Sequence, residues 1–315
     1  MILPNRYEYY ISYHDKLITI MSRLTIYGMG KIGGEVACLA AVRGLVDEIV
    51  IADAIPSFLN AQYLDLIHTG IDVNITTDLS EMGESDITLF AAGFARTPQV
   101  KTRADLLNLN LPIVREFCSR IKSSGFDGTV ITVTNPMDAL NFCIQKESGL
   151  PRSRCLGFGG QLDLARMKIF LKERGLPYDG AWIMGEHGEF QVPLFSGISG
   201  SNGGKDFPAA LRDEIQAQMR GASMPVIQGK GGTVFGPAYH ISNLIDAVIR
   251  DRKEVIPCSC VLDGEFGLSG LSVCVPARIG KSGVEEIVER PLDEWESERF
   301  AGAVKHLKEL CGKAQ

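Results

Sequence analysis

The chain has 315 residues, 45% of them hydrophobic and 22% charged, and it carries a formal net charge of −6. At about 150 residues per domain this length predicts about two domains, and the ordinary composition excludes a disordered chain, a coiled coil and a collagen-like rod. The acidic balance disfavours partners with phosphate backbones, so we expect no binding to nucleic acid or to anionic membranes. No apolar run reaches the ~18 residues of a membrane span, and the first twenty residues show no apolar core of a signal peptide.

The eight cysteines are scattered along the chain without any C-x-x-C motif, and most of them lie in apolar runs. We interpret them as small buried hydrophobic residues of a protein in a reducing compartment, the cytoplasm, and we predict no metal site. Residues 1–22 precede the first convincing strand and are interpreted as an N-terminal extension of unknown role.

Short apolar strands alternate with helices from residue 23 to about residue 152. The predicted strands are 24–27, 48–52, 87–91 and 129–133, and the predicted helices are 31–43, 57–68 with Ser57 as its cap, and 105–124. Nearly continuous apolar strands that alternate with helices are typical of a parallel sheet with both faces covered. The sequence therefore predicts an α/β fold that begins with a parallel sheet domain over residues 23–152.

The pattern changes after about residue 152. The predicted elements are a helix over 161–174, a mostly helical stretch over 206–250 that is broken near 229–232, strands over 254–262 and 271–279, and a final helix over 293–311. Because the two strands can pair, residues 153–315 are predicted to form a mixed α+β domain that binds the substrate. The cleft between two such halves is the default ligand site.

The motif Gly28-x-Gly30-x-x-Gly33 lies directly between the first strand and the first helix. In this setting the first glycine permits a tight turn, the second lets the backbone approach a pyrophosphate, and the third lets the helix pack against the sheet. Asp53 ends the second strand twenty residues after Gly33, where a carboxylate can bind the adenosine ribose. A plain turn with a helix-capping Asp is the alternative. The motif predicts a Rossmann-type domain that binds NAD, because Asp53 would repel the 2′-phosphate of NADP.

Three further groups of polar residues are candidates for chemistry. His187 lies between glycines in Gly185-Glu186-His187-Gly188-Glu189, and an imidazole can donate and accept a proton near neutral pH. Asp163 and Arg166 share one helix face, where an Asp can orient a histidine and an Arg can bind a carboxylate. Arg96 and Arg103 flank a basic loop at the carboxyl end of a strand, where parallel sheets bind ligands. Taken singly, these residues are also compatible with a loop histidine, a surface ion pair and a solvated loop.

Taken together, these residues resemble the malate and L-lactate dehydrogenase family over nearly the whole chain from about residue 22. The matching stretches include Leu64-Asp65-Leu66-Ile67-His68, Thr134-Asn135-Pro136-Met137-Asp138, the segment from Gly157 to Arg166 and the segment from Gly185 to Pro193. Several motifs in the right order are more specific than any one of them.

The resemblance implies a role for each matching residue. It implies that His187 is the acid/base that protonates the substrate oxygen, that Asp163 holds its tautomer, and that Arg166 binds the C1 carboxylate of the substrate. Arg103 is implied to polarise the substrate carbonyl from a loop that closes over the cleft, and Thr233 to form part of the pocket wall. The implied cofactor-binding residues are Gly28, Gly30, Lys31, Ile32, Gly33, Asp53, Ala92, Gly93 and Asn135, the last of which also contacts the substrate.

Arg96 stands at the position that resembles the specificity residue of the family, where malate enzymes carry Arg and lactate enzymes a neutral side chain. Because this Arg can pair with a second carboxylate, the resemblance implies NAD-dependent hydride transfer between malate and oxaloacetate, a dicarboxylate pair. The chain departs from the family in this loop. Arg96 to Arg103 is seven steps instead of six, Gln99 replaces a glycine, and Lys101 adds a cation. Gln161 also replaces the Thr that is common at its position.

Three alternatives stay open. The longer loop is compatible with another 2-hydroxy acid, such as lactate or a sulfolactate-like acid. Another Rossmann enzyme is less compatible, because a methyltransferase does not need the His187 group and the Tyr-x-x-x-Lys pair of a short-chain dehydrogenase occurs only at Tyr27 and Lys31, across the glycine motif. A non-enzymatic NAD-binding redox sensor would need a DNA-reading module, which the charge does not indicate.

The resemblance also implies a homodimer or homotetramer, with the helix over 57–68 at an interface, and a place in the tricarboxylic acid cycle.

Overall fold

The computed structural model describes residues 21–94 and 103–313 of the chain. The strands are β1 (Arg23–Tyr27), β2 (Glu48–Ala52), β3 (Asn74–Thr76), β4 (Ile87–Phe90), β5 (Thr129–Thr132), β6 (Cys155–Gly157), β7 (Trp182–Gly185), β8 (Gln191–Leu194), β9 (Glu254–Asp263), β10 (Ser269–Gly280) and β11 (Gly283–Ile287). The helices are α1 (Lys31–Val42), α2 (Pro56–Ile67), α3 (Arg103–Ser124), α4 (Met137–Ser148), α5 (Gly160–Glu173), α6 (Ala209–Gly221), α7 (Met224–Lys230), α8 (Phe235–Ile249) and α9 (Glu294–Lys313).

Six strands form a parallel sheet in the order β3-β2-β1-β4-β5-β6. This is the strand order of a Rossmann fold, so the predicted parallel α/β sheet is confirmed. Tyr27 pairs with both Ala52 and Phe90, and Phe90 pairs with Thr132, so the carboxyl ends of four strands lie level at one edge. The loops that leave this edge carry the predicted cofactor-binding residues.

The same sheet continues into the second half of the chain. β6 pairs antiparallel with β9, where Leu156 lies opposite Cys260 and Gly157 opposite Ser259. The sheet then runs through β10, β7 and β8, and β11 pairs with β10. The predicted pairing of the two late strands is confirmed by the long antiparallel ladder between β9 and β10. One hydrophobic core of buried residues extends beneath both halves.

Two details of the predicted helices are wrong. Ser57 is not the cap of α2, because Pro56 begins the helix and Ile55 precedes it without a side-chain cap. The fixed φ of proline suits the first position of a helix, and this overrides the capping preference of serine. The stretch over 206–250 breaks at Gly231 as predicted, but it has a second break near Ala222, which divides it into α6, α7 and α8.

The cysteines lie where the sequence predicted them. Seven of the eight are buried and Cys38 is partly buried, all as free thiols. Burial raises the pKa of the Cys118, Cys143 and Cys258 thiols to about 12, so they stay neutral near physiological pH. Within residues 21–94 and 103–313, no helix is long and apolar enough to cross a membrane, and no group of three or more His, Cys, Asp or Glu side chains could hold a metal ion.

Candidate active site

The glycine turn, residues 28–33, joins β1 to α1 and packs closely against its surroundings. Gly28 has a φ of +105°, and a Cβ on it would lie 2.3 Å from the backbone nitrogen of Ala92. A Cβ on Gly33 would lie 1.9 Å from the carbonyl oxygen of Gly28. Because no side chain tolerates such distances, the close approach of α1 to the sheet depends on these two glycines.

Gly30 has a different role in the same turn. It precedes α1 without any side-chain cap, and a Cβ on it would meet nothing within 4 Å. The space in front of the helix is therefore open, and the first backbone N–H groups of a helix point into such a space. This arrangement binds phosphate oxygens, and a Cβ on Gly30 would fill part of it. The residues of the turn, including Lys31 and Ile32 at the start of α1, fit the pyrophosphate of a dinucleotide.

Asp53 lies directly after β2, beside the glycine turn. Its carboxylate accepts hydrogen bonds from the backbone nitrogen of Met29 at 2.9 Å and from that of Ile55 at 3.1 Å. Gln62 of α2, which sequence reasoning missed, donates to the carbonyl oxygen of Met29 at 2.6 Å. The carboxylate of Asp53 is therefore anchored at the rim of the turn.

Lys31 connects the glycine turn to the second half of the chain. Its Nζ lies 3.5 Å from the carbonyl oxygen of Lys230 and 3.3 Å from that of Gly231. Thr233 lies partly buried in the same loop, between α7 and α8. Ile32, the neighbour of Lys31, packs partly buried against the core. The loop with Thr233 is thus near Lys31, a predicted cofactor residue, although Thr233 itself was predicted from the family resemblance alone.

Ala92, Gly93 and Asn135 lie after β4 and β5, at the same edge as the glycine turn. Asn110 of α3, which is fully buried, ties these two loops together. Its Nδ2 donates to the carbonyl oxygen of Asn135 at 2.8 Å, and its Oδ1 accepts the N–H of Phe94 at 2.7 Å. The side chain of Asn135 is exposed beside them. Asn110 is a second residue that sequence reasoning missed, because it reads as an ordinary polar position of a helix.

His187 and Asp163 form the pair that the sequence proposed. Nδ1 of His187 lies 2.7 Å from Oδ2 of Asp163, and Nη1 of Arg166 lies 3.5 Å from Oδ1 of the same carboxylate. Asp163 is almost fully buried, whereas the side chains of His187 and Arg166 are 17% and 15% exposed. A Cβ on Gly159 would lie 2.5 Å from Cγ of His187, so the ring packs directly on this backbone. Because Nδ1 faces Asp163, any proton exchanged with a substrate is carried by Nε2.

Two more buried carboxylates hold the turn that carries His187, and sequence reasoning gave neither of them a role. Asp138 accepts the backbone N–H of His187 at 2.9 Å and the hydroxyl of Ser259 at 2.5 Å. Glu186 accepts the backbone N–H groups of Glu189 and Phe190 at 2.9 and 3.0 Å, which closes the turn. Burial, and then the charge of Glu186, raise the pKa of Asp138 to about 6.

Most of the residues predicted for the substrate loop lie outside the described part of the chain. Arg96, Gln99 and Lys101 lie outside the described residues, and their predicted roles stay predictions. Arg103 begins α3, so its backbone follows directly on that loop, but its side chain also lies outside the description.

An enzyme that moves a hydride to or from a dinucleotide needs a turn for the pyrophosphate next to a group that exchanges a proton with the substrate. The chain holds the glycine turn after β1 and the ring of His187 on Gly159, just after β6, so both lie at the carboxyl edge of its parallel sheet. This combination is that of a dinucleotide-dependent dehydrogenase. A family model for the NAD binding domain of lactate/malate dehydrogenase matches residues 22–157, and one for the alpha/beta C-terminal domain matches residues 160–315. The chain belongs to the lactate/malate dehydrogenase family, and its cofactor is NAD.

Relatives are similar over the length of the chain. The malate dehydrogenase of Haloferax volcanii is 35% identical over 301 residues, which are 92% of this chain and 98% of that protein. The solved malate dehydrogenase of Aeropyrum pernix matches with a TM-score of 0.84 and 32% identity, over 92% of this chain and 97% of that one. The minor L-lactate dehydrogenase of Enterococcus mundtii matches with a TM-score of 0.85 and 25% identity, over 94% and 99%. Malate and lactate enzymes thus share this fold.

Proposed function

We propose that the protein catalyses the NAD-dependent interconversion of malate and oxaloacetate, with His187 as the acid/base. The observation that carries this proposal is the 2.7 Å contact between Nδ1 of His187 and Oδ2 of Asp163, with Arg166 beside the same carboxylate. Curated relatives that are named malate dehydrogenase support the choice of malate as the substrate.

In this reaction NAD supplies or accepts the hydride at C2 of the substrate. His187 gives a proton to the oxygen on C2 during reduction and takes it back during oxidation, through Nε2. Asp163 keeps a proton on Nδ1 and stabilises the positive charge of the imidazolium. The partly exposed guanidinium of Arg166 binds the C1 carboxylate with two hydrogen bonds.

The remaining roles rest on the family resemblance. Arg103 polarises the C2 carbonyl, Asn135 contacts the substrate and the nicotinamide, and Thr233 forms part of the pocket wall. Arg96 pairs with the second carboxylate of oxaloacetate, and closing an unpaired guanidinium over pyruvate would disfavour that smaller acid. In this proposal residues 23–152 bind the dinucleotide and residues 153–315 supply the acid/base pair.

Oxidation of NADH with oxaloacetate, pyruvate, 2-oxoglutarate and sulfopyruvate tests the substrate. We expect kcat/KM for oxaloacetate to exceed that for pyruvate by at least ~10²-fold. Faster turnover of pyruvate or sulfopyruvate would replace malate by lactate or a sulfolactate-like acid. Binding of NADH without turnover of any of the four acids would favour a redox sensor.

A pair of variants tests which cation sets the specificity. Arg96→Gln should reduce the preference for oxaloacetate, chiefly because oxaloacetate loses a charge-assisted hydrogen bond. Lys101→Ala should leave the preference unchanged. The reverse pattern in kcat/KM would show that the longer loop has moved the contact from Arg96 to Lys101.

We further propose that the protein is a homodimer or homotetramer that associates through the side carrying α2. Phe58 and Leu64 on α2 and Tyr239 on α8 are 41%, 40% and 56% exposed, and α1 packs against both helices. An apolar surface of this kind supports a protein interface. Light scattering should give at least twice the mass of one chain, and Phe58→Glu with Leu64→Glu should give the monomer. A monomeric wild type would contradict the proposal.

The free thiols support a reducing compartment, and we propose the cytoplasm. Malate oxidation would place the enzyme in the tricarboxylic acid cycle. Cell fractionation tests the first point, and accumulation of malate after loss of the gene tests the second.

A further inference from the structure

Asp138 lies on the first turn of α4, in the half of the chain that carries the glycine turn, and it is 2% exposed. Its Oδ2 accepts the backbone N–H of His187 at 2.9 Å, and its Oδ1 accepts the hydroxyl of Ser259 at 2.5 Å. Asp163 holds the ring of the same histidine at 2.7 Å from α5. His187 is therefore held by two carboxylates, one at its main chain and one at its imidazole.

A directed chain of hydrogen bonds ends on Asp138. Nδ2 of Asn141 donates to the hydroxyl oxygen of Ser272 at 2.9 Å, and the hydroxyls of Ser272 and Ser259 lie 2.8 Å apart. Since Ser259 donates to Asp138, its own oxygen accepts the proton of Ser272, and the oxygen of Ser272 accepts from the amide. Every donor in the chain points towards Asp138. This arrangement fits an ionised carboxylate, which only accepts hydrogen bonds.

The negative charge of Asp138 lies in an unfavourable place. Burial, and then the carboxylate of Glu186, raise the pKa of Asp138 to about 6, whereas the hydroxyl of Ser259 and the N–H and charge of His187 lower it. The neighbouring elements β9, β10 and α9 face it with thiols that burial keeps neutral, namely Cys260, Cys274 and Cys311. Within the described residues, the imidazole of His187 is the group whose positive charge, when protonated, lowers the pKa of Asp138.

We propose that Asp138 is a positioning residue of the reaction, an inference that rests on the proposed function: its ionised carboxylate fixes the main chain of His187 and, with Asp163, stabilises the protonated imidazole. If Asp138 takes up a proton, it loses its negative charge and one acceptor position, so His187 holds its proton less tightly. Oxaloacetate reduction is therefore fastest between two limits. Protonation of Asp138 sets the acid limit, and loss of the His187 proton sets the alkaline limit.

Comparison of the wild-type protein with Asp138→Asn and Asp246→Asn tests this role. Asp246 is the matched control, because it is a buried carboxylate on α8 that pairs with Arg250 and Arg252. The imidazole resonances are followed by NMR against pH, and His187 is assigned as the signal that His187→Asn lacks. In Asp138→Asn the titration midpoint of His187 should fall by about half a pH unit or more, and kcat for oxaloacetate reduction should fall about tenfold. Its alkaline limb should move to lower pH by the same amount as the midpoint, and Asp246→Asn should change none of these.

A second variant, Ser259→Ala, keeps the charge of Asp138 and removes one donor. Because the ionised form loses a hydrogen bond, the acid limb of kcat should move to higher pH by about half a unit or more. An unchanged His187 midpoint in Asp138→Asn would overturn the proposal, and so would an unchanged acid limb in Ser259→Ala if Asp138→Asn does not fold. A wild-type protein that does not reduce oxaloacetate would contradict the proposed function alone, since the NMR titration would still decide the role of Asp138.

Discussion

The glycine turn and the histidine turn, residues 185–190, carry the proposed cofactor-binding and proton-transfer residues but are held in shape in different ways. The glycine turn is shaped by its own backbone, through the positive φ of Gly28 and the contact that Gly33 allows. The histidine turn is held by carboxylates, of which Asp138 comes from α4 and Asp163 from α5. The glycine turn is also anchored from outside, by the contacts of Asp53 and Gln62 with Met29. Its shape nevertheless comes from its glycines, whereas the histidine turn depends on carboxylates from two distant helices.

This difference separates cofactor binding from proton transfer. The glycine turn can hold a dinucleotide whatever the protonation state of the buried carboxylates, because its contacts are made by backbone groups. The proposed acid/base role of His187, by contrast, depends on the charges around its imidazole. We therefore expect variants of the histidine turn to lose turnover and keep the cofactor, and variants of the glycine turn to lose the cofactor first.

The largest effect is expected for His187→Asn. Without an imidazole, the proton has no carrier between solvent and substrate, so kcat should fall by ~10²–10⁴-fold in both directions. NADH binding, measured by fluorescence titration, should be unchanged, because the glycine turn does not depend on this side chain. Near-normal turnover would refute the proposed mechanism, and lost NADH binding would show that the two turns are not separable.

The next effect concerns the loss of folding stability that comes from ionising the buried carboxyl group of Asp138. The pKa of Asp138 is raised from 3.8 to about 6, so the folded protein binds this proton more tightly than the unfolded chain. Its favourable contribution to folding is complete below pH 3.8 and is lost as the pH rises to about 6, a change of roughly 3 kcal/mol. Asn at this position does not titrate. The free energy of unfolding of Asp138→Asn relative to wild type, from urea denaturation, should therefore rise by roughly this amount between pH 4 and pH 7, and a difference independent of pH would contradict the raised pKa.

Two alanine variants should separate the roles of Gly30 and Gly33, the first in cofactor binding and the second in packing of the turn. Gly30→Ala should fold normally, because its Cβ meets nothing within 4 Å, but NADH affinity should fall by at least ~10-fold as the pyrophosphate loses space. Gly33→Ala should unfold more easily, by about 2 kcal/mol or more, because its Cβ would lie 1.9 Å from a carbonyl oxygen. Fluorescence titration and thermal unfolding measure the two effects. Equal loss of stability in both variants would contradict this division.

The smallest effect is expected at Asp53. The wild-type protein should use NADH at least ~10-fold better than NADPH, since the carboxylate repels a 2′-phosphate. Asp53→Asn removes the charge and retains an oxygen for the N–H of Met29, so the ratio of kcat/KM values should fall severalfold while the protein stays folded. Equal rates with both cofactors in the wild type would remove the role given to Asp53.

The same contrast explains which features could be predicted from the sequence. β1, α1 and β2 could be predicted because their signals are local: an apolar run, a glycine motif and a helical period. α4 was not predicted, because several of its polar residues, Asp138, Asn141 and Ser148, are buried together with its apolar ones, so its polar pattern does not mark an exposed face. Pro56 also overrode the cap expected at Ser57, a local conflict that only the structure resolves.

The candidate site follows the same rule. His187, Asp163 and Arg166 could be named because they lie in motifs that resemble a family. The roles of Asp138 and Ser259 could not, because the contacts that define them join residues 49 and 121 positions apart, and one sequence does not indicate which distant segments meet. Asp138 ends the motif Thr134-Asn135-Pro136-Met137-Asp138, yet a carboxylate on the first turn of a helix is also explained by its interaction with the helix dipole.

The antiparallel pair of β6 and β9 has a mechanical consequence. Rotating one half of the molecule against the other would break the ladder at Leu156–Gly157 and Ser259–Cys260 and would split a shared core. We therefore expect the two halves to move as one rigid unit. We expect any opening and closing of the site to involve connecting loops such as residues 231–234, which lie between α7 and α8 and outside the sheet. Product release would then depend on short segments of chain, and not on rotation of one half of the molecule against the other.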